Sequence, residues 1–106
     1  MHYDITRDGK VLGVPVLDVQ ELPGDDSAIV LLDYMTMGKG PQRNLVKVRN
    51  DGSIAWIADL PDTGPQECYV SMDLGPAGIV FANTWLGYRV SIDAGTGRIL
   101  GKTFTK

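Results

Sequence analysis

The chain has only one cysteine and one histidine, and both scarcities exclude kinds of chemistry. Cys68 has no second cysteine for an internal disulfide bond, so the fold does not depend on an oxidising compartment. His2 lies beside the N-terminus, which leaves no histidine to activate a nucleophile in the body of the chain. One residue of each type also makes a transition-metal site improbable. We therefore predict no metal, no cofactor and no catalytic residue.

Long apolar segments and an excess of positive charge are also missing. No apolar run approaches the roughly 20 residues that span a bilayer, and residues 1–4 lack the basic and apolar regions of a secretory signal. The formal net charge of −3 gives no general attraction for nucleic acid or anionic lipid. We therefore expect a cytoplasmic protein that binds neither nucleic acid nor membranes.

The sequence does contain a short phrase that occurs three times. Each copy is an alternating apolar stretch, a polar turn that ends in Gly, and a second apolar stretch, a pattern typical of two antiparallel strands joined by a tight hairpin. Gly9, Gly52 and Gly97 are separated by 43 and 45 residues, and periods of about 40 to 45 residues are typical of four-stranded, blade-like repeats. The three phrases cover residues 3–11, 46–54 and 90–99.

Two continuous apolar runs, Ala28–Leu32 and Gly78–Ala82, are the strongest core candidates. Their β-branched residues predict strands that are covered on both faces, and no segment has a convincing amphipathic helical pattern. We predict an all-β fold, an antiparallel meander of about ten strands in two propeller-blade-like sheets. The expected single domain, 1–106, consists of a half-unit (1–14) and two blade-like units (15–58 and 59–106). The expected strands lie near 3–7, 10–14, 16–21, 28–35, 44–50, 53–58, 67–72, 78–84, 88–93 and 98–104.

Two of the three phrases carry a family resemblance. The segment Ile92–Gly97 resembles the Asp-Ala-x-Thr-Gly signature of quinoprotein-like (PQQ-type) β-propeller repeats, and Asp51–Trp56 resembles its continuation, in which a Trp follows the Gly by four residues. The resemblance covers about two and a half repeats and implies the strand pattern, with Trp56 in the blade-to-blade docking position. Gly13 and Gly101 fill that position in the other copies. Since the chain is too short for the family's cofactor pocket, the resemblance does not imply oxidoreductase activity.

Incomplete propellers have exposed outer faces. A blade buries both faces only between two neighbours, and the central strands here are predicted to be apolar on both. Three arrangements would cover them: assembly of several copies, a different covering protein, or closure of the sheets into a sandwich or small barrel. Because large exposed apolar patches usually mark contact surfaces, we expect a homo-oligomer or a complex with another protein.

Most acidic residues have ordinary structural explanations. Asp8, Asp51 and Asp93 recur with the phrase and are predicted to be hairpin-turn residues, since Asp bonds locally and tolerates the left-handed conformation. A hard-cation site formed by Asp59, Asp62 and Glu67 is conceivable, but their spacing lacks the ligand pattern of a calcium loop. Cys68 follows Glu67, whose charge raises a thiol pKa, so we expect an inert cysteine.

Loop geometry selects a candidate contact surface. In a meander, alternate connections lie at the same edge, so segments 36–43, 59–66 and 86–87 are predicted to lie together, at the edge that usually binds ligands in propellers. Exposed aromatic residues in this region would indicate a contact site, although Trp85 and Tyr88 could instead cap the core. The candidate surface consists of Lys39, Arg43, Asp59, Asp62, Trp85 and Tyr88.

These patterns favour a small, self-associating, non-enzymatic protein-interaction module. The alternative is a ligand-binding or enzymatic domain whose pocket forms only at an oligomer interface. A third possibility is a fragment or accessory blade set of a larger propeller. Molar mass in solution would show whether the apolar faces are shared between chains.

Overall fold

A computed structural model describes residues 10–22, 24–36, 42–64, 66–76 and 78–105, and it is all-β over these ranges apart from one 3-10 turn at Tyr34–Thr36. This confirms the predicted fold class. Within the described residues no helix is long and apolar enough to cross a membrane. The strands are β1 (Lys10–Val11), β2 (Val14–Glu21), β3 (Ser27–Leu32), β4 (Leu45–Arg49), β5 (Ile54–Ile57), β6 (Tyr69–Leu74), β7 (Ile79–Thr84), β8 (Tyr88–Asp93) and β9 (Ile99–Phe104).

The strands form two antiparallel sheets, and within each sheet every strand pairs with the next one in the chain. The first sheet has the order β1-β2-β3-β4-β5 and the second has the order β6-β7-β8-β9. Short polar turns make this meander possible, because antiparallel strands can be joined by very few residues. The predicted meander in two sheets is therefore confirmed.

The main core lies between the two sheets. Ile29 and Leu45 of the first sheet pack in one cluster with Val80 and Ile92 of the second, and all four side chains are fully buried. Buried and partly exposed residues alternate along β7, as expected for a strand with one face on the core.

The outer face of the first sheet is also buried. Val30 and Leu32 of β3 and Val46 and Val48 of β4 form a second apolar cluster, which includes Val11 of β1. Every residue of β3 is buried. The prediction that the Ala28–Leu32 run is covered on both faces is therefore confirmed.

The outer face of the second sheet is polar, unlike the apolar face expected from the Gly78–Ala82 run. Arg89 pairs with Asp73 at 2.7 Å, and its guanidinium lies 4.6 Å from the centre of the Phe81 ring. Beside this pair, Asn83 donates a hydrogen bond of 2.9 Å to Ser71. Because the Phe81 ring lies beneath an arginine and polar side chains surround it, this part of the face can be exposed to water without a covering blade.

Two predicted strands differ from the structure. The 10–14 strand is divided by a two-residue turn at Leu12 and Gly13, which both have positive φ, as type I′ hairpins require. The 28–35 strand ends at Leu32, since the Asp33 carboxylate accepts a hydrogen bond from the Met35 amide and starts the 3-10 turn. The predicted 3–7 strand, and most of the first phrase with Asp8, lie outside the described residues.

The other two phrases form hairpins in which the aspartates organise the turn. Asp51 Oδ1 accepts hydrogen bonds from the backbone and hydroxyl of Ser53, at 2.9 and 2.6 Å. Asp93 Oδ1 accepts one from the Gly95 amide at 2.8 Å. Both carboxylates therefore act as turn residues, in agreement with their predicted role.

Candidate functional site

Three connecting segments meet at one end of the sheets: the 3-10 turn at 34–36, part of the β5–β6 connection at 62–64, and the β7–β8 turn at 85–87. The Tyr34 and Trp85 rings pack with their centres 5.9 Å apart. A side chain at Gly64 would collide with the Leu86 side chain, so the second and third segments are in close contact. We refer to these three segments as the loop edge.

A buried carboxylate holds two of these segments in place. Glu67 is 1% exposed, and its Oε1 accepts hydrogen bonds from the backbone amides of Cys68 and Leu86, both at 3.1 Å. Its Oε2 accepts one from the Thr63 hydroxyl at 2.5 Å. Because an unpaired buried carboxylate would be very costly, these three bonds fix the 62–64 segment relative to the β7–β8 turn.

A second set of hydrogen bonds joins the two sheets just below the loop edge. The buried Asn44 amide donates to the carbonyls of Leu32 (3.0 Å) and Tyr69 (2.7 Å), and its oxygen accepts from the Tyr69 amide (2.8 Å). The Tyr69 hydroxyl donates to the Asp59 carbonyl. Burial, followed by the negative charges of Asp59 and Glu67, strongly raises the pKa of Tyr69, so its hydroxyl remains a proton donor.

The loop edge carries an exposed aromatic patch, which we define as Tyr34, Met35 and Trp85. Trp85 is 54% exposed and Met35 is 75% exposed. Tyr34 is half-buried and packs on Trp85 with a tilt of 54° between the ring planes. Large apolar side chains that are exposed side by side are characteristic of contact surfaces.

A charged groove of about 730 Å³ lies between the β5–β6 connection and β9. Arg43 donates hydrogen bonds to the carbonyls of Ala58 and Ile57, at 3.1 and 2.7 Å, and its guanidinium is 3.4 Å from Asp59 Oδ1. Arg43 therefore supports the end of β5 and also contributes charge to the groove. The groove is lined by Arg43, Asp59, Leu60, Pro61, Asp62, Arg98, Ile99 and Lys102.

The structure brings three of the six predicted surface residues together, since Arg43, Asp59 and Asp62 all line the charged groove. The β5–β6 connection must cross from one sheet to the other, and the Asp59 amide consequently bonds to the Gly97 carbonyl, away from the β7–β8 turn. The predicted segment 59–66 is thus divided between the groove and the loop edge. Lys39 lies outside the described residues.

The two predicted aromatic residues have different environments. Trp85 belongs to the exposed patch, whereas Tyr88 packs against the main core and against Phe104, with ring centres 5.1 Å apart. Tyr88 begins β8 on the side that faces the core, and the turn before it directs Trp85 outward. Trp85 is therefore the exposed aromatic residue of a candidate contact site, whereas Tyr88 caps the core.

The conceivable hard-cation site does not form from its three predicted residues. Asp59 and Asp62 line the groove, but Glu67 is engaged with Thr63, Cys68 and Leu86. In the described parts of the chain, no three His, Cys, Asp or Glu side chains lie close enough to hold a metal ion. Cys68 is buried, and burial, together with the Glu67 charge, raises the pKa of its thiol.

The opposite end of the sheets contains a cavity that the sequence did not indicate. It has a volume of about 430 Å³ and lies between the hairpin turns of the two sheets. Lys47 lines it, together with Asp25, and pairs with that residue at 3.1 Å. In the sequence Lys47 is an ordinary polar position in an alternating strand, so no local signal could have revealed that it faces the second sheet.

Comparison with curated proteins and with solved structures gives no significant match. A family model described as Domain of unknown function (DUF7957) matches residues 8–104, which is most of the chain and includes both sheets. The chain therefore belongs to the DUF7957 family.

Proposed function

We propose that this protein is a non-enzymatic protein-interaction module that binds a second copy of itself through the loop edge. The exposed aromatic patch is the observation that carries the proposal. Trp and Tyr are enriched among residues that dominate binding energy in interfaces. Met35 adds a flexible apolar side chain, a type that adapts well to a partner's surface.

The hydrogen bonds beneath the patch favour binding, because they keep it ordered. The Glu67 carboxylate holds both Leu86, which follows Trp85, and Thr63, which follows Asp62. A surface that is already ordered loses little conformational entropy on association. The buried polar network therefore provides a pre-organised platform for the patch.

The charged groove meets the loop edge at Asp62, and its charges favour a second copy as the partner. The charged groove contains Arg43, Arg98 and Lys102 together with Asp59 and Asp62. A surface with both signs can complement itself across a two-fold axis, where the same residues come from both chains.

The propeller-type resemblance remains a proposal, and one contact supports it. The Trp56 ring packs so closely on Gly97 that a Cβ there would lie 2.7 Å from the ring. Its Nε1 also donates a hydrogen bond of 3.0 Å to the Ala94 carbonyl. Trp56 therefore packs against the second sheet at Ala94 and Gly97, within the segment that resembles the propeller signature.

Sedimentation velocity over a wide range of protein concentrations tests the proposed self-association. We expect a monomer–dimer equilibrium, and Trp85→Ala should weaken it about tenfold or more, because loss of a hot-spot residue costs over about 1.4 kcal/mol. Leu17→Ala is the matched control, since Leu17 is a 49% exposed apolar residue on β2. A wild-type protein that stays monomeric up to about 1 mM, the range of weak complexes, would overturn the proposal, as would equal effects of both substitutions.

A further inference from the structure

The cavity at the end opposite the loop edge has the form of a small-molecule site. Its volume of about 430 Å³ lies within the range of ligand pockets, roughly 300–1,000 Å³. Both sheets belong to one chain, so this cavity does not need an oligomer interface. Its walls are largely apolar, with Leu22, Leu74, Pro76, Ile79 and Ala94, and the glycines 75, 78 and 95 expose backbone between them.

Lys47 is the main polar group of the cavity, and its position follows from the register of the first sheet. It pairs with Ile29 of β3 and Trp56 of β5, both of which belong to the core between the sheets. The Lys47 side chain is only 12% exposed. A cationic residue on a core-facing position is unusual, and it remains there only because its ammonium group is well paired.

The ammonium group has two partners within the described residues. It donates a hydrogen bond of 2.9 Å to the Ala94 carbonyl and lies 3.1 Å from Asp25 Oδ2. This contact with Lys47 lowers the pKa of the Asp25 carboxyl, which is therefore ionised at neutral pH. An ammonium carries three N–H donors, which leaves one for a bound molecule.

The charges decide which ligand fits. The Asp25 carboxylate already neutralises Lys47, so an anionic ligand would be repelled by Asp25 and a cationic ligand by Lys47. We propose that the cavity binds a small neutral molecule with an apolar body and a carbonyl or amide oxygen, which accepts the remaining hydrogen bond from Lys47. The apolar body would be covered by the Leu22 and Leu74 side chains.

Three six-carbon probes test this proposal, namely hexanamide, hexanoate and hexylamine. Two-dimensional NMR on the full chain follows the Gly75 and Gly95 amides, which line the cavity, and the Trp56 indole N–H, which shares the Ala94 carbonyl with Lys47. We expect hexanamide to shift these signals in a saturable way and to bind at least about tenfold more tightly than either charged probe. The Trp85 indole signal should not move.

Two variants separate recognition by Lys47 from simple apolar partition. Lys47→Met should weaken hexanamide at least about fivefold, since it removes a hydrogen bond to a charged donor. Asp25→Asn should strengthen hexanoate at least about tenfold, because Lys47 then lacks a carboxylate partner. The proposal is overturned if no probe gives saturable shifts, if all three bind alike, or if both variants bind the probes as the wild type does.

Discussion

At the scale of single residues, buried polar side chains join distant parts of the chain. Asn44 bonds the end of β3 to the start of β6, and Glu67 bonds the β5–β6 connection to the β7–β8 turn. Such groups are costly when unpaired, and their bonds therefore select one arrangement of the two sheets.

Substitution of Asn44 tests this role. Asn44→Ala leaves the Tyr69 amide and two carbonyls without their side-chain partner, and we expect it to lower the free energy of unfolding by about 3 kcal/mol. Asn83→Ala is the control, because Asn83 lies on the outer face of the second sheet and should cost at most about 1 kcal/mol. Urea unfolding measures both. Equal losses would show that Asn44 does not join the sheets.

The Asp25–Lys47 pair predicts a specific pH dependence. Lys47 lowers the pKa of Asp25 below its ordinary value of 3.8 in the folded state, so the pair stabilises the fold above that pH. The contribution should be lost as the pH falls through the lowered pKa. Because Asp25 is half exposed, solvent screening limits this contribution to about 1 kcal/mol.

The measurement is urea unfolding of the wild type and Asp25→Asn from pH 7 to about pH 2. The wild type should be more stable at pH 7, and the difference should vanish at the acid end. In a Lys47→Met background the same substitution should show little pH dependence. A difference that grows as the pH falls would contradict the assigned ion pair.

At the scale of elements, the two Gly-ended hairpins offer a matched comparison. Gly52 and Gly97 both have positive φ, of 90° and 77°. A side chain at Gly52 would meet open space, whereas one at Gly97 would collide with the Trp56 ring. We expect Gly52→Ala to cost about 1 kcal/mol from backbone strain, and Gly97→Ala at least about 2 kcal/mol more from the displaced ring.

Thermal or urea unfolding of the two glycine variants measures the difference, and Trp56→Leu provides the control background. In that background the extra cost at Gly97 should largely disappear, since a smaller side chain can yield. An equal cost at both glycines in the wild-type background would mean that Trp56 does not dock on the hairpin.

Strand order and most strand positions could be predicted from the sequence, because they follow from local alternation and from turn residues such as Asp51 and Gly52. The predicted ends of β1 and β3 were wrong. Leu12 has the left-handed conformation although it is not Gly, Asn or Asp, and the Asp33 side chain starts a turn directly after β3. These are single-residue choices that the surrounding apolar pattern does not reveal.

The candidate sites were less predictable, because they depend on contacts between sheets. Trp85 was recognised from its type and loop position, but its partner Tyr34 is 51 positions away in the printed sequence. Lys47 is indistinguishable from a solvent-facing strand residue until the second sheet is placed over it. Glu67 likewise resembles an exposed acid, and only its three hydrogen bonds show that it organises the loop edge.

At the scale of the whole molecule, the two outer faces no longer require a covering blade. The first sheet buries its outer valines, and the second presents Arg89, Asp73 and Asn83 to water. We propose the exposed apolar groups of the loop edge as the contact surface between chains.

The most direct test of this account is a concentration series of two-dimensional NMR spectra of the wild-type chain. We expect the amide signals of 34–36, 62–64 and 84–88, with the Trp85 indole, to shift as the concentration rises, while signals of Ser71, Asp73 and Ser91 stay fixed. Signals that do not change with concentration, or changes confined to the outer face of the second sheet, would contradict it.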